Sequence, residues 1–255
     1  MSDLQKLAVT LDNAAQKAQA IAQLSHAEQF SMAEAYEIQK RSIALRVARG
    51  SPRVGMKMGF TSRAKMIQMG LFDMIWGRLT ADMVLEDGAP MPFKKYVHPR
   101  VEPEIAFLLK KPLIGSITPM QALAAVEAIA PAMEVIDSRY ANFKFALNDV
   151  VADNASSSGF VTGPWNSPSI DFSNLGLVMS FNGRPVQIGS TAGILGHPLR
   201  SLVAAARFAE EAGEPLEAGW IVMAGGATAA EALKPGTWVE MEMQSLGRVA
   251  FNVAA

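Results

Sequence analysis

The sequence predicts an α+β fold, with an N-terminal helical segment over residues 1–50 followed by a compact, mixed body built on rolled β-sheets over residues 51–255. Three observations lead there. Before residue 50 the chain is rich in Ala, Leu, Gln and Lys and carries helix start and stop signals. From Val54 onward Gly and Pro recur, and short apolar runs are separated by turn signals. Strands do not alternate regularly with helices, which disfavours a parallel doubly wound sheet. With 255 residues, half of them apolar, the chain can bury one large core, or a main domain with a smaller appendage.

In order along the chain, "SDLQKLAVTLDNAAQKAQAIAQL" reads as a helix on composition, and "SMAEAYEIQKRSIALRVARG" as a second helix opened by a Ser31–Glu34 capping box and stopped at Gly50. "LEDGAPMPF", "FNGRPVQIG" and "ALKPGTWVEMEM" mark turns between strands, and "HPRVEPEIAFLL" (98–109) reads as the opening of a buried strand. "TPMQALAAVEAIA" predicts a helix capped by Thr118 with Pro119 in its first position. Residues 132–137, in "PAMEVIDSRYANFKF", predict another strand, and "LRSLVAAARFAEEAG" a helix ending at Gly213. There is no internal repeat and no low-complexity tract.

Composition removes several classes of function. A formal charge of −1 gives no basic footprint for nucleic acid, and no apolar run approaches the ~20 residues of a membrane span. The N-terminus lacks a basic region followed by an apolar core, so no signal peptide is expected. Zero cysteines exclude disulfides, thiolate nucleophiles and zinc–thiolate sites, and fit a cytoplasmic protein. Carboxylate, lysine and histidine chemistry remain.

The acids carry the signal. Side chains alternate along a strand, so Glu102 and Glu104 face one side while Val101, Ile105 and Phe107 face the other. Two such charges ~5 Å apart repel by roughly 3 kcal/mol at an effective dielectric near 20, so the pair needs water, a base or a metal ion. Glu134 repeats the pattern, sharing a strand face with Ala132 and Ile136. Three carboxylates suit a hard divalent cation such as Mg²⁺ or Mn²⁺; the alternative is three solvated acids on open sheet faces.

Six stretches together resemble the hydratase/decarboxylase family of aromatic meta-cleavage pathways, within the fumarylacetoacetase-like superfamily: "VGMKMGFTSRAKMIQMG", "HPRVEPEIAFLL", "MEVIDSRYANFKF", "VVADNASSSGFVTG", "GSTAGILGHPL" and "MAGGATAAEALKPGTWVEMEMQSLGRVAF". The resemblance runs in order from about residue 30 to the C-terminus, and the N-terminal helix matches only in character. It implies a rolled body of the fumarylacetoacetase C-terminal-like type and a Mg²⁺ or Mn²⁺ ion held by Glu102, Glu104 and Glu134. Hydratases of this family carry an Asp in a P-D-[FY]-G pattern; aligned on Gly77 and Ala81-Asp82-Met83, that position here is Ile75, which cannot transfer a proton. Asp73 takes the place only if the register slips by two. The decarboxylase branch is similar to this sequence in its Ile-aromatic-Gly, in "AKMxQMG" and in "SRYxNFKF".

The resemblance therefore implies metal-dependent decarboxylation of 4-oxalocrotonate (2-oxohex-3-enedioate) to 2-hydroxypenta-2,4-dienoate and CO₂. The alternatives are a dienoate hydratase or related hydrolase, and a non-catalytic partner of the pathway hydratase. Expected partners are a small 2-oxo dicarboxylate substrate, that hydratase, and further copies of the chain.

Around the acids, Lys57 in "GMKMGF" is a lone cation in an apolar strand, suited to meet a substrate carboxylate or a developing enolate; the alternative is a gatekeeper on an edge strand. The family carries a lysine there too. Arg139 is a candidate bidentate partner of a dicarboxylate, and Tyr140 a neighbouring contact; either is equally read as a surface or interface residue. Asn154 and Ser156, with Asp153, stand where a strand breaks into a polar loop, in a site or in a structural turn. The "AGGATAAE" turn offers backbone N–H groups and the Thr228 hydroxyl to a carboxylate, and lacks the G-x-G-x-x-G spacing of a dinucleotide site. His197 is read as a cap, His98 as a poorer ligand near the acids, and Met66 and Met69 as core filler.

Overall fold

A computed structural model describes residues 3–62, 66 and 73–255. Met69 lies outside the described residues.

Helix α1 (Leu4–Gln16) is capped by the Asp3 carboxylate, and α2 (Met32–Ala48) by the expected Ser31–Glu34 box, before Gly50 turns the chain at φ +95°. Composition predicts α1 to run on to Leu24, but it stops at Gln16. Ile21 instead exchanges backbone hydrogen bonds with the Arg139 carbonyl and the Ala141 N–H, a long-range pairing that outweighs propensity.

Two sheets form the body. The larger contains β1 (Arg53–Gly59), β2 (Ile75–Thr80), β3 (Val84–Leu85), β5 (Arg100–Leu109), β6 (Val126–Ile136), β7 (Ser157–Thr162) and β10 (Ile221–Met223) in the order β2-β1-β10-β5-β6-β7-β3, with β11 (Glu231–Ala232) added to β5. The smaller has the order β4-β13-β12-β8-β9, formed by β4 (Pro90–Pro92), β8 (Gly176–Phe181), β9 (Arg184–Ser190), β12 (Trp238–Met243) and β13 (Gly247–Ala254). Most neighbours are antiparallel; β1–β10, β3–β7 and β4–β13 are parallel. The ends of the large sheet approach each other through the turn Asn154–Ser156, where the Asn154 side chain accepts the Arg78 N–H and donates to the Arg78 carbonyl. Gly77 is obligatory there: a Cβ on it would lie 2.5 Å from the Asn154 carbonyl oxygen. The predicted rolled α+β body is what the chain adopts.

One predicted helix is cut short. α3 (Pro119–Ala124) has the Thr118 cap and the Pro at its start, but Val126–Ile136 is strand β6, paired with β5 along almost its whole length. Ala-rich composition suggests helix through Ala130; Pro131 disfavours helix in the residue before it, and Val126, Ile129 and Val135 gain a fully buried sheet face. α4 (Leu147–Ala152) precedes the Asn154 turn, and α5 (Leu199–Glu211) ends before Gly213, as predicted.

The two faces of the large sheet have different fates. Met56, Ile105, Phe107, Met133 and Val135 enter the main core between the sheets and under α5. Leu79, Ala106, Ala132, Phe160 and Met223 line the inner face, where Ile43 of α2 packs on them. α1, α2 and α4 share a separate core with Ile75 and Tyr140.

Candidate metal and active site

Pairing of β5 with β6 sets Glu102 directly opposite Glu134, and Glu104 opposite Ala132. All three carboxylates are therefore on the inner face, and one oxygen from each lies within 4.8 Å of the others. Glu104 and Glu134 are completely buried and Glu102 half-buried. Among the described residues, this is the one cluster of acids and histidines that could hold a metal ion.

Lys57 stands in the same face. β1 lies between β2 and β10, so the edge-strand gatekeeper reading is excluded. Its Nζ is buried 3.2 Å from Glu134 Oε2. The other oxygen of Glu134 accepts the Ser157 hydroxyl at 2.8 Å. Glu104 Oε2 accepts the Gly225 N–H at 2.7 Å, while its Oε1 is buried with no hydrogen-bond partner among the described residues. Burial first, then the charges of Glu134 and Glu102, push the Glu104 carboxyl well above the usual carboxylate range, against the pull of Lys57 and Gly225.

The Gly225–Gly226 pair lets the backbone come this close. Gly225 has φ +100°, and a Cβ there would fall 2.3 Å from Thr61 Oγ1; one on Gly226 would fall 3.1 Å from the Glu102 carboxyl carbon.

An orphaned buried oxygen on a carboxylate that two others crowd is what a bound cation would satisfy, and an all-oxygen donor set matches a hard ion such as Mg²⁺ or Mn²⁺. The residues present fit the group.

Ile75 pairs with Gly59, two residues beyond Lys57, so it lies on the inner face one row along. It is buried, in the same apolar core as Leu7, Ile38 and Tyr140. Asp73 is outside the strand, exposed and ion-paired with Arg207 at 2.8 Å.

Of the remaining predicted residues, none of Arg139, Tyr140, Asn154 and Ser156 bonds Glu104 or Glu134, while Thr228 lies in the glycine turn that meets Glu104 and Glu102. Arg139 is buried, with its guanidinium taken up by the Asp153 carboxylate and carbonyl and by the Ser158 hydroxyl. Burial opposes its charge, but Asp153 and Asp137 outweigh burial and hold its pKa above the ordinary arginine value. The Tyr140 hydroxyl is buried and donates to the Asp149 carbonyl. Asn154 has its amide committed to Arg78, and Ser156 adjoins it at φ +60° with a buried, unpartnered hydroxyl. In the glycine turn the Gly225 N–H serves Glu104 and the Ala227 N–H serves the Pro103 carbonyl, and the half-buried Thr228 hydroxyl donates to its neighbour's carbonyl. His197 Nδ1 accepts the Leu199 N–H, as a cap, and the His98 ring packs against Phe143.

Sequence reasoning missed Ser157 and Asp137, and it reserved the N–H groups of the Gly225 turn for a substrate carboxylate where one of them serves Glu104; Asp137 accepts the N–H groups of Val97 and His98 and so fixes the approach to β5. A strand-period reading of "SSSG" from Phe160, which faces inward opposite Glu134, would have narrowed the choice of serine, but the bulge between Val135 and Ile136 defeats simple counting.

A family model described as fumarylacetoacetate (FAA) hydrolase C-terminal matches residues 71–254. Over 249 residues, 98% of this chain and 97% of the other, the chain is 58% identical to a 4-oxalocrotonate decarboxylase of a Pseudomonas species. It is 36% identical over 219 residues, 85% of this chain and 81% of the other, to a 2-keto-4-pentenoate hydratase of Paraburkholderia xenovorans. The crystallographic 4-oxalocrotonate decarboxylase of Pseudomonas putida G7, complexed with magnesium and adipate, superposes with a TM-score of 0.95 at 39% identity, covering 98% of this chain and 97% of that one. With the model match spanning well over half the chain and the rolled sheet carrying the acids on its inner face, the chain belongs to the fumarylacetoacetate hydrolase C-terminal family.

Proposed function

We propose that the chain is a metal-dependent carboxy-lyase that converts 4-oxalocrotonate to 2-hydroxypenta-2,4-dienoate and CO₂. The observation that carries the reading is the cluster Glu102, Glu104 and Glu134 with the ammonium of Lys57 inside it, in a chain 58% identical to a decarboxylase of that name. Glu102, Glu104 and Glu134 would hold Mg²⁺ or Mn²⁺. When bound, the ion supplies a chelation point for a 2-oxo acid and Lewis-acid polarisation of its carbonyl.

The chain's own residues do the rest. Ser157 and Gly225 hold one oxygen each of Glu134 and Glu104, so the carboxylates are oriented before any ligand arrives. As the bond to the departing carboxylate breaks, its electron pair moves through the conjugated alkene to the 2-oxo oxygen, which later takes up a proton. Lys57 sets a desolvated positive charge beside that developing negative charge. Ile75 gives an apolar wall and no proton-transfer group, which suits loss of neutral CO₂ and not delivery of water.

The product is a reactive dienol, which favours handover to the hydratase that consumes it. We place the chain, as a homo-oligomer, in the cytoplasmic meta-cleavage catabolism of aromatic compounds. Among the described residues no helix is long and apolar enough to cross a membrane.

The test is product analysis by NMR with both substrates and Mg²⁺. CO₂ release and dienoate formation from the diacid, with little hydration of the dienoate, are expected. Efficient hydration without CO₂ release overturns the reading.

A further inference from the structure

A cavity of about 390 Å³ opens beside β7, lined by Ser158 and Arg139 among others. Ser157 bonds Glu134, while Ser158 bonds Arg139 and lines the cavity. Neither Lys57 nor any of the three glutamates borders it.

Its charged lining is lopsided, with Arg46, Arg49, Lys95 and Arg139 against Asp82 and Asp137, an excess of two positive charges. Half of these groups are already spent. Arg49 forks onto Asp12 at 2.6 and 2.7 Å, Arg139 is held by Asp153 and Ser158, and Asp137 accepts two backbone N–H groups at 2.8 Å each.

Arg46 is different. Its nearest carboxylate, Asp82, is 3.8 Å away, it makes no hydrogen bond with a described residue, and its side chain is 18% exposed. Burial pulls its pKa below the ordinary arginine value, against the attraction of Asp82. Nor is it needed as a helix cap, because the carbonyls of Leu45, Arg46 and Val47 accept the N–H groups of Arg49, Gly50 and Ser51. Lys95 has no ion pair among the described residues either. A largely desolvated guanidinium with five donors, lining the same open cavity as an ammonium that has no ion pair among the described residues, is a preformed half of an oxyanion contact. The hydroxyls of Ser51 and Tyr96 border the same space.

We propose that this cavity is a second ligand site, for a small doubly charged oxyanion, either inorganic phosphate or a short dicarboxylate, with Arg46 and Lys95 as its anchors. It is independent of the reaction assigned to the acid cluster.

The experiment is calorimetric titration of the full-length, Mg²⁺-loaded protein with inorganic phosphate and, separately, with succinate. Wild type, Glu104→Gln, Arg46→Met and Lys95→Met are compared, with circular dichroism and size exclusion run on each. Binding is expected to survive Glu104→Gln and to weaken at least ~10-fold in Arg46→Met and by a smaller factor in Lys95→Met. Which of the two probes binds identifies the ligand class. If Arg46→Met fails to fold, the exposed Lys95 carries the test alone. The proposal is overturned if neither probe binds wild type at about 10 mM. It is equally overturned if binding vanishes with Glu104→Gln and persists without the Arg46 or Lys95 charge, or if the Arg46 change alters only the oligomeric state, which would make the cavity a subunit contact.

Discussion

Replacing Glu104 by Gln should stabilise the metal-free protein while destroying its activity. Three carboxylate oxygens within 4.8 Å repel by about 3.5 kcal/mol per pair at an effective dielectric of 20. Glu104 takes part in two of the three pairs, roughly 7 kcal/mol in gross terms. Proton uptake by Glu104, whose carboxyl burial and its neighbours push upward, already relieves much of that, leaving about 1–3 kcal/mol for an isosteric neutral amide to recover. At ~2–4 °C per kcal/mol for a chain of this size, the melting temperature in EDTA should rise by about 3–10 °C. The gain has a defined pH dependence. Because the folded-state pKa lies above the ordinary glutamate value, the wild type's relative stability is full in acid and falls as pH rises from there towards the raised value. The gap between variant and wild type therefore widens with pH. Mg²⁺ should reverse the order, since a ligand at 100 times its dissociation constant adds about 2.7 kcal/mol to a protein that binds it. Thermal melts of both proteins in EDTA and in Mg²⁺, at several pH values, make the comparison. A variant less stable than wild type in EDTA, or a wild type indifferent to Mg²⁺, would refute the crowding argument.

Three further outcomes follow from the same contacts. Lys57→Met should lower kcat/KM at least ~10-fold, about 1.4 kcal/mol of barrier, without weakening Mg²⁺ binding in a calorimeter, because the ammonium 3.2 Å from Glu134 no longer competes with the ion; a smaller loss makes Lys57 structural. Ser157→Ala should weaken Mg²⁺ affinity by ~10–100-fold through loss of the 2.8 Å bond to Glu134, and unchanged affinity would remove Ser157 from the site. Gly225→Ala must place a Cβ 2.3 Å from Thr61 Oγ1 at φ +100°, so the melting temperature should fall by roughly 5 °C or more and turnover with it; a melt within a degree of wild type would show that the turn can shift.

What was legible in the sequence was what depends on period and chemistry. Glu102 and Glu104 share a face because strands alternate, Lys57 is conspicuous as a cation between methionines, and the caps at Ser31 and Thr118 are local. What was illegible depends on distant partners. Arg139 has the bidentate chemistry expected of it, but its carboxylate is Asp153 of its own chain, fourteen residues on, brought near by the turn that closes the sheet. Asn154, read as a site residue or part of a structural turn, joins the turn before β7 to Arg78 through its side chain, a long-range pairing that the local sequence does not show. The Ala-rich run after Thr118 is locally helical, and only the presence of β5 beside it makes residues 126–136 a strand.

The arrangement at the acids is costly enough to exclude a purely structural account. Glu134 has both oxygens engaged, by Ser157 and Lys57, whereas Glu104 is buried with one oxygen engaged and one without a partner among the described residues. Buried ion pairs rarely stabilise a fold more than apolar side chains of the same volume would, and an unpartnered buried oxygen costs about 1–3 kcal/mol. Around them the inner face is made of Leu79, Ala106, Ala132, Phe160 and Met223, which shows that this sheet can accept apolar side chains at these rows. A chain serving only as a scaffold for another enzyme would gain stability by extending that apolar lining over the Glu104, Glu134 and Lys57 positions. Among the described residues one positive and three negative groups are kept there, with Ser157 and the Gly225 N–H aimed at individual oxygens, an arrangement that a bound cation would bring into charge balance. A divalent cation adds two positive charges to a local sum of minus two, and brings the fully ionised site to neutrality.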